Sequence, residues 1–171
     1  MLSRIRKYRF HKAVQSHANY GRKVDVRSVN LGSSIAVLSR WQYRDEVRRL
    51  VAHAAAAVRD VHMLYYSAQP VEEQLTAQEN LYIKKQLKFG AVPESAEVEA
   101  FLGREYDRLF LVDTVCDMHQ EYVCRLAKSR LSVGPLLERT SYQFDFAVDV
   151  EQGSVSHLVD KTIRALDLVS R

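Results

Sequence analysis

Residues 106–113, YDRLFLVD, form the clearest strand candidate in the second half of the chain. Residues 35–38, IAVL, are a compact apolar run after a Gly/Ser-containing break and predict a buried strand. Residues 61–66, VHMLYY, are rich in strand-favouring types and lie between Asp60 and Pro70, so they predict another. These three stretches indicate the centre of a sheet.

Segments with a helical pattern of apolar residues lie between these strand candidates. After the helix-start carboxylates Asp45 and Glu46, apolar residues recur at i, i+3, i+4, i+7 and i+11. They are Val47, Leu50, Val51, Ala54 and Val58. Further helices are predicted over 70–75, after Ser95, within 122–128 and after Ser154, and further strands over 81–83, 131–133 and 144–150.

Alternating strand and helix patterns call for parallel strands joined by crossover helices. The sequence therefore predicts an α/β fold: an open, doubly wound, mostly parallel sheet of five or six strands with helices on both faces. We expect a basic N-terminal arm over residues 1–30 and a single α/β domain over 31–171.

The composition supports an ordinary globular domain of 171 residues, with 47% hydrophobic and 27% charged residues. No apolar run is long enough for a transmembrane segment, and the basic N-terminus lacks the apolar region of a signal peptide. With only Cys116 and Cys124, the chain is no disulfide scaffold, so we expect a cytoplasmic protein.

Charge is distributed unevenly along the chain. Residues 1–28 hold eight basic side chains and one acid, a net +7, while the remaining 143 residues hold 17 basic and 20 acidic side chains, a net −3. The basic residues of the arm are Arg4, Arg6, Lys7, Arg9, Lys12, Arg22, Lys23 and Arg27. This asymmetry is typical of proteins that contact nucleic acid or another anionic surface.

Three interpretations of the arm remain open. On a helical wheel its basic residues spread around the circumference and form no clean apolar stripe, which disfavours a membrane-surface helix. A segment threaded between RNA phosphates fits the cations and the interleaved rings of Tyr8 and Phe10. A solvated tail, or contact with a membrane or an acidic protein, is the alternative.

A second basic element lies at residues 82–90, YIKKQLKFG, where Lys84, Lys85 and Lys88 stand between Tyr82 and Phe89 in a predicted loop. The lysines are candidate phosphate contacts. The rings would either stack on bases or anchor the loop to the core.

The carboxyl ends of strands carry the ligand sites of open α/β sheets, and Asp113, Asp117 and His119 follow the strongest strand. They are a candidate ligand cleft. Helix capping is the favoured explanation of the carboxylates, and Cys116, His119 and Cys124 are a third, metal-binding alternative.

Motifs of enzymatic chemistry are missing. The glycines satisfy neither dinucleotide nor P-loop spacing, and the chain has no G-x-S-x-G or H-E-x-x-H motif. We therefore expect a non-enzymatic protein with no cofactor and no metal.

The segments KKQLKFGAVPES, EYDRLFLVD, AKSRLSVGP and FDFAVDV resemble a bacterial domain-of-unknown-function family of small α/β proteins, from about Ser33 to the end. That resemblance implies a fold and a preceding basic arm. The strand ending at Asp113 and residues 127–134 are also similar to the N-terminal half of heptosyltransferase-type glycosyltransferases. Because those enzymes bind their donor mainly in a second domain, this similarity implies only a small-ligand cleft.

The leading hypothesis is an RNA-binding accessory protein, associated with the ribosome or its assembly, with rRNA and neighbouring ribosomal proteins as partners. The alternative is a module that binds a nucleotide or sugar phosphate in the cleft at Asp113.

Overall fold

The computed structural model describes residues 2–17, 34–54, 58–137, 142–150 and 154–169. The strands are β1 (Ser34–Arg40), β2 (Asp60–Ser67), β3 (Glu79–Ile83), β4 (Leu87–Lys88), β5 (Val92–Pro93), β6 (Glu105–Val112), β7 (Lys128–Pro135) and β8 (Phe146–Val148). The α-helices are α1 (Leu2–Ser16), α2 (Arg44–Ala54), α3 (Ala96–Leu102), α4 (Met118–Leu126) and α5 (Val155–Val169).

Six strands form one parallel sheet in the order β3-β2-β1-β6-β7-β8, while β4 and β5 pair as a separate antiparallel hairpin. The chain thus leaves β1 towards one edge of the sheet and later returns to build the other half from β6 outward. The predicted parallel α/β sheet is confirmed.

Alternating side chains divide the core between the two faces of the sheet. Ala36 and Leu38 of β1 pack in the cluster that also holds the buried faces of α1, α3 and α4. Ile35 and Val37 pack in the opposite cluster, which contains the apolar residues of α2 and α5. The sheet is therefore covered by helices on both faces, as the doubly wound prediction requires.

The expected helix over residues 70–75 is absent, and the segment is irregular. Its backbone is held instead by distant and local side chains. Arg44 donates from Nη2 to the Gln74 carbonyl at 3.1 Å, and the Glu79 carboxylate accepts from Thr76 N at 3.0 Å.

The first half of the predicted basic arm is helical in the structure. Residues 2–16 form α1, in which Phe10 and Val14 are only 2% and 4% exposed. The ring of Phe10 lies edge-on to Tyr122 of α4, with centroids 6.4 Å apart. Along 2–17 the basic segment is thus a helix docked on the domain.

Within the parts of the chain that the structure describes, no helix is both long and apolar enough to cross a membrane.

Candidate functional site

Every charged side chain of α1 is basic. Five basic side chains point to solvent, and the helix contains no acid. They are Arg4, Arg6, Lys7, Arg9 and Lys12. No carboxylate of the described residues lies within ion-pair distance of any of them, whereas the domain arginines Arg40, Arg44 and Arg49 all have carboxylate partners. Within the described ranges, no internal anion therefore neutralises the cations of α1.

The β4–β5 hairpin is seated directly against this helix. Ala91 N donates to the Lys88 carbonyl at 2.9 Å and closes a turn in which Gly90 has φ +102°. A Cβ atom at Gly90 would lie 3.3 Å from Phe10 N, so only glycine suits both the left-handed backbone and the close approach.

This contact joins the two basic elements. The guanidinium carbon of Arg9 lies 5.1 Å from the centre of the Phe89 ring. Lys88 is exposed on the hairpin, and Lys84 and Lys85 are exposed in the 3₁₀ turn that leads into it. We call the five α1 cations and these three lysines, together with Tyr8 and Phe89, the basic surface. Lys88 also pairs with Glu94 at 3.4 Å, which partly neutralises its charge.

The two rings of the lysine-rich segment have different roles. Tyr82 is fully buried, and its hydroxyl lies 2.9 Å from Nδ1 of His119, so it anchors the segment to the core. Phe89 is 53% exposed, so the interpretation in which it pins the loop is wrong. Only Phe89 remains as a stacking ring there.

The remaining predicted cations of the arm, Arg22, Lys23 and Arg27, lie outside the described residues.

The structure brings Asp113, Asp117 and His119 together at the carboxyl edge of the sheet. Arg40, the last residue of β1, places Nε 3.2 Å from Asp113 Oδ2 and Nη2 2.8 Å from Asp117 Oδ2. His119 Nε2 lies 3.7 Å from the same Asp117 oxygen. This switch-point cluster sits between β1 and β6, where the strand order reverses, which is the usual ligand position in such sheets.

Each member of the switch-point cluster is occupied by an internal contact. Asp113 is fully buried, faces Arg40 and accepts a hydrogen bond from Gln120 Nε2 at 2.9 Å. The amide oxygen of Gln120, Oε1, accepts from Asp117 N at 2.9 Å. Burial raises the pKa of Asp113 against the opposing effect of these partners. The arrangement fixes the start of α4, as the capping interpretation expected.

His119 is 5% exposed, and its ring lies 4.1 Å from that of Tyr66. Burial lowers its pKa to about 4, the Asp117 carboxylate opposes this, and the positive charges of Arg40 and Arg6 add to the lowering. The helix that carries Arg6, α1, packs on α4 through Phe10 and Tyr122, and α4 carries His119.

Cys116, His119 and Cys124 do not gather as ligands: within the described ranges, no group of three His, Cys, Asp or Glu side chains could hold a metal ion. Cys116 instead contacts Cys124, whose thiol pKa is raised by that hydrogen bond and by burial.

Sequence reasoning missed Arg40, Tyr66 and Gln120. Arg40 ends β1 beside the end of β6, so the carboxyl-end rule that selected Asp113 would also have found it. Gln120 stands three residues after Asp117, the spacing of a capping box, and this local signal could have found it. No local signal marks Tyr66, because tertiary packing alone brings it to His119.

Searches of the curated proteins and of the solved structures find no match to this chain. A family model described as a family of unknown function, DUF6913, matches residues 5–168. The match begins inside α1 and stops one residue before the end of α5, so it includes most of the basic helix as well as the sheet. The chain belongs to this family of unknown function.

Proposed function

We propose that this protein is a non-enzymatic RNA-binding accessory protein that contacts RNA through the basic surface. One observation carries the proposal: five exposed cations on a docked helix face solvent without a carboxylate partner among the described residues, and the hairpin that carries Lys88 packs against the same helix. Lysine and arginine side chains in such a cluster bind phosphates and release condensed counterions.

Docking of α1 strengthens this proposal. A disordered basic tail loses conformational entropy when it binds, whereas Phe10 and Val14 already hold this helix on the domain. The cations are thus arranged before RNA arrives. The residues after position 28 carry a net −3, so the surface also orients the protein towards an anionic partner.

The expected contacts are to phosphates rather than to base edges. Such contacts carry no sequence information, which suits a large structured RNA on which other proteins supply further contacts. We therefore extend the proposal to rRNA, with neighbouring ribosomal proteins as partners, in the bacterial cytoplasm. Co-sedimentation with ribosomal subunits at low and high salt tests this extension.

Fluorescence anisotropy with a labelled RNA tests the proposal itself. Five phosphate contacts predict a slope of about −3.5 to −4.5 for log affinity against log salt. Replacing Arg4, Arg6, Lys7 and Arg9 by Ala should abolish most of the affinity and flatten this slope.

A matched control removes the same charge elsewhere. Four basic residues outside the basic surface serve for this control: Arg59, Arg108, Lys128 and Arg164. Their replacement by Ala should change the affinity only slightly. Equal losses in both variants would overturn the proposal, because binding would then follow net charge alone.

A second candidate function is a small-ligand module at the switch-point cluster, of the kind a glycosyltransferase-like half domain would provide. The strand order favours this position. Its charges disfavour a phosphate, because Asp45 and Glu46 occupy the first turn of α2 and Asp117 precedes α4.

Thermal-shift screening of nucleotides and sugar phosphates tests this second candidate. A ligand at 100 times its Kd stabilises by about 2.7 kcal/mol. A shift that disappears in Asp117→Ala supports the cluster, and a shift that persists places the ligand elsewhere.

A further inference from the structure

The basic surface presents aromatic rings as well as cations. Tyr8 is 67% exposed and Phe89 is 53% exposed, and these are the two most exposed aromatic side chains in the part of the chain that the structure describes. Large exposed rings lose hydrophobic stabilisation that burial would supply. Their position among cations points to a ligand with both charged and flat groups.

Phe89 is held firmly at the tip of its hairpin. The turn needs Gly90 at φ +102°, and the next residue, Ala91, has φ 60° although it carries a Cβ atom. A non-glycine residue in that region stores strain, which persists only where packing enforces it. Ala91 is 4% exposed, and the contact of Gly90 with α1 fixes the turn.

Arg9 lies over the Phe89 ring at 5.1 Å and adds a second flat group beside it. Tyr8 and Lys12 stand four residues apart on α1 and are both exposed, so they share one face of the helix. Each exposed ring of the basic surface therefore has a cation beside it. Proteins that bind single strands use this combination, with cations on the backbone and aromatic rings under unpaired bases.

We infer that the basic surface binds single-stranded RNA, with one unpaired base stacked on Phe89 and another on Tyr8. This inference rests on the proposed function, because phosphate contacts by the α1 cations supply most of the affinity. A duplex fits the rings poorly, since its bases are already stacked on each other and the major groove of an RNA helix is deep and narrow.

The test compares oligouridine with an RNA duplex of the same length, using anisotropy with the full chain. Phe89→Ala and Tyr8→Ala should each weaken oligouridine binding roughly tenfold, the usual effect of losing one stacked base, and leave duplex binding unchanged. The slope against salt should stay the same, because neither variant removes a charge.

Two further variants sharpen this test. Phe89→Trp should retain the affinity, and its added indole fluorescence should be quenched when oligouridine binds. Phe146→Ala removes an exposed ring from β8, outside the basic surface, and should have no effect.

The outcomes separate the two proposals. If neither RNA binds, or if the substitution of Arg4, Arg6, Lys7 and Arg9 changes nothing, the proposed function fails. If the cations matter but the duplex binds as tightly as oligouridine, or the ring variants bind like the wild type, the RNA-binding function stands and the single-strand inference is overturned.

Discussion

The Tyr82 hydroxyl lies 2.9 Å from Nδ1 of His119, and both side chains are almost completely excluded from solvent. The imidazole with its proton on Nε2 suits both of its polar neighbours, because Nδ1 then accepts from Tyr82 and Nε2 faces Asp117. A protonated ring would lose the acceptor that Tyr82 uses. The lowered pKa of His119, about 4, therefore has a structural consequence at acidic pH.

We expect the protein to lose stability as the pH falls from about 6.5 to about 4. In this window the unfolded chain protonates His119, whose ordinary pKa is 6.5, while the folded protein keeps the ring neutral because burial lowers its pKa. The free energy of unfolding should fall by about 3 kcal/mol from this group. Urea unfolding at several pH values measures the loss.

The matched variant for this prediction is His119→Gln, whose amide can accept from Tyr82 but does not titrate. Its stability should change less than that of the wild type over the same window. Parallel pH profiles would show that His119 is not the group responsible. Asp117, Arg40 and Arg6 are the charged side chains whose electrostatic effects act on the ring.

Removing one partner of the buried ion pair between Arg44 and Glu79 should cause a large loss of stability. Glu79 accepts from Arg44 Nε at 2.7 Å and from Nη2 at 2.6 Å, and these bonds lower the pKa of Glu79 to about 2. Glu79→Gln should cost about 3–5 kcal/mol, because it removes the buried partner of a buried guanidinium and leaves only the exposed Glu73 to pair with it. Glu73→Gln, which affects an exposed partner of the same Arg44, should cost less than about 1 kcal/mol. Chemical denaturation measures both, and equal losses would contradict this account.

Gly90→Ala should destabilise the hairpin and weaken RNA binding together. The substitution forces a Cβ atom into a left-handed backbone and to within 3.3 Å of Phe10 N, so we expect a loss of about 1–3 kcal/mol. Gly103→Ala is the control, since its Cβ would lie 3.3 Å from a carbonyl oxygen but its φ is −70°. Thermal melts and anisotropy should show the larger effect at Gly90; a larger effect at Gly103 would contradict the role of the turn.

Strands and helices with complete periodic patterns could be predicted from the sequence. Val47 and Leu50 of α2 are buried as their spacing required. The docking of α1 escaped prediction because its apolar stripe is short: Phe10 and Val14 are buried, whereas Ile5 and Tyr8 are exposed. A wheel that averages the whole helix hides this stripe.

Long-range contacts account for the other differences. Pro70 is a residue type that often starts a helix, but hydrogen bonds from Arg44 and to Glu79 hold the backbone that follows it in an irregular path. At the carboxyl edge of the sheet, the position of Asp113 after a strand was sufficient to find part of the switch-point cluster. The sequence left open whether Tyr82 stacks on a base or anchors its segment to the core, because tyrosine is intermediate between buried and exposed residues and the deciding contact, with His119, is long-range.

The two halves of the basic surface should contribute unequally to binding. Replacing Arg4, Arg6, Lys7 and Arg9 by Ala should flatten the salt slope by roughly three units on a single strand. Replacing Lys84, Lys85 and Lys88 should flatten it less, since Lys88 already pairs with Glu94. Titrations at several salt concentrations measure both slopes. A loop variant that loses binding while the α1 variant keeps its affinity and slope would show that the hairpin, not α1, is the main contact.

Ultraviolet crosslinking of bound oligouridine, followed by mass spectrometry of the protein's peptides, tests the location of the RNA site most directly. We predict crosslinks to peptides that contain Tyr8 or Phe89, the two exposed rings among the cations. Crosslinks confined to residues 113–126 or to α5, with none in residues 2–16 or 84–91, would contradict the claim that the basic surface binds RNA.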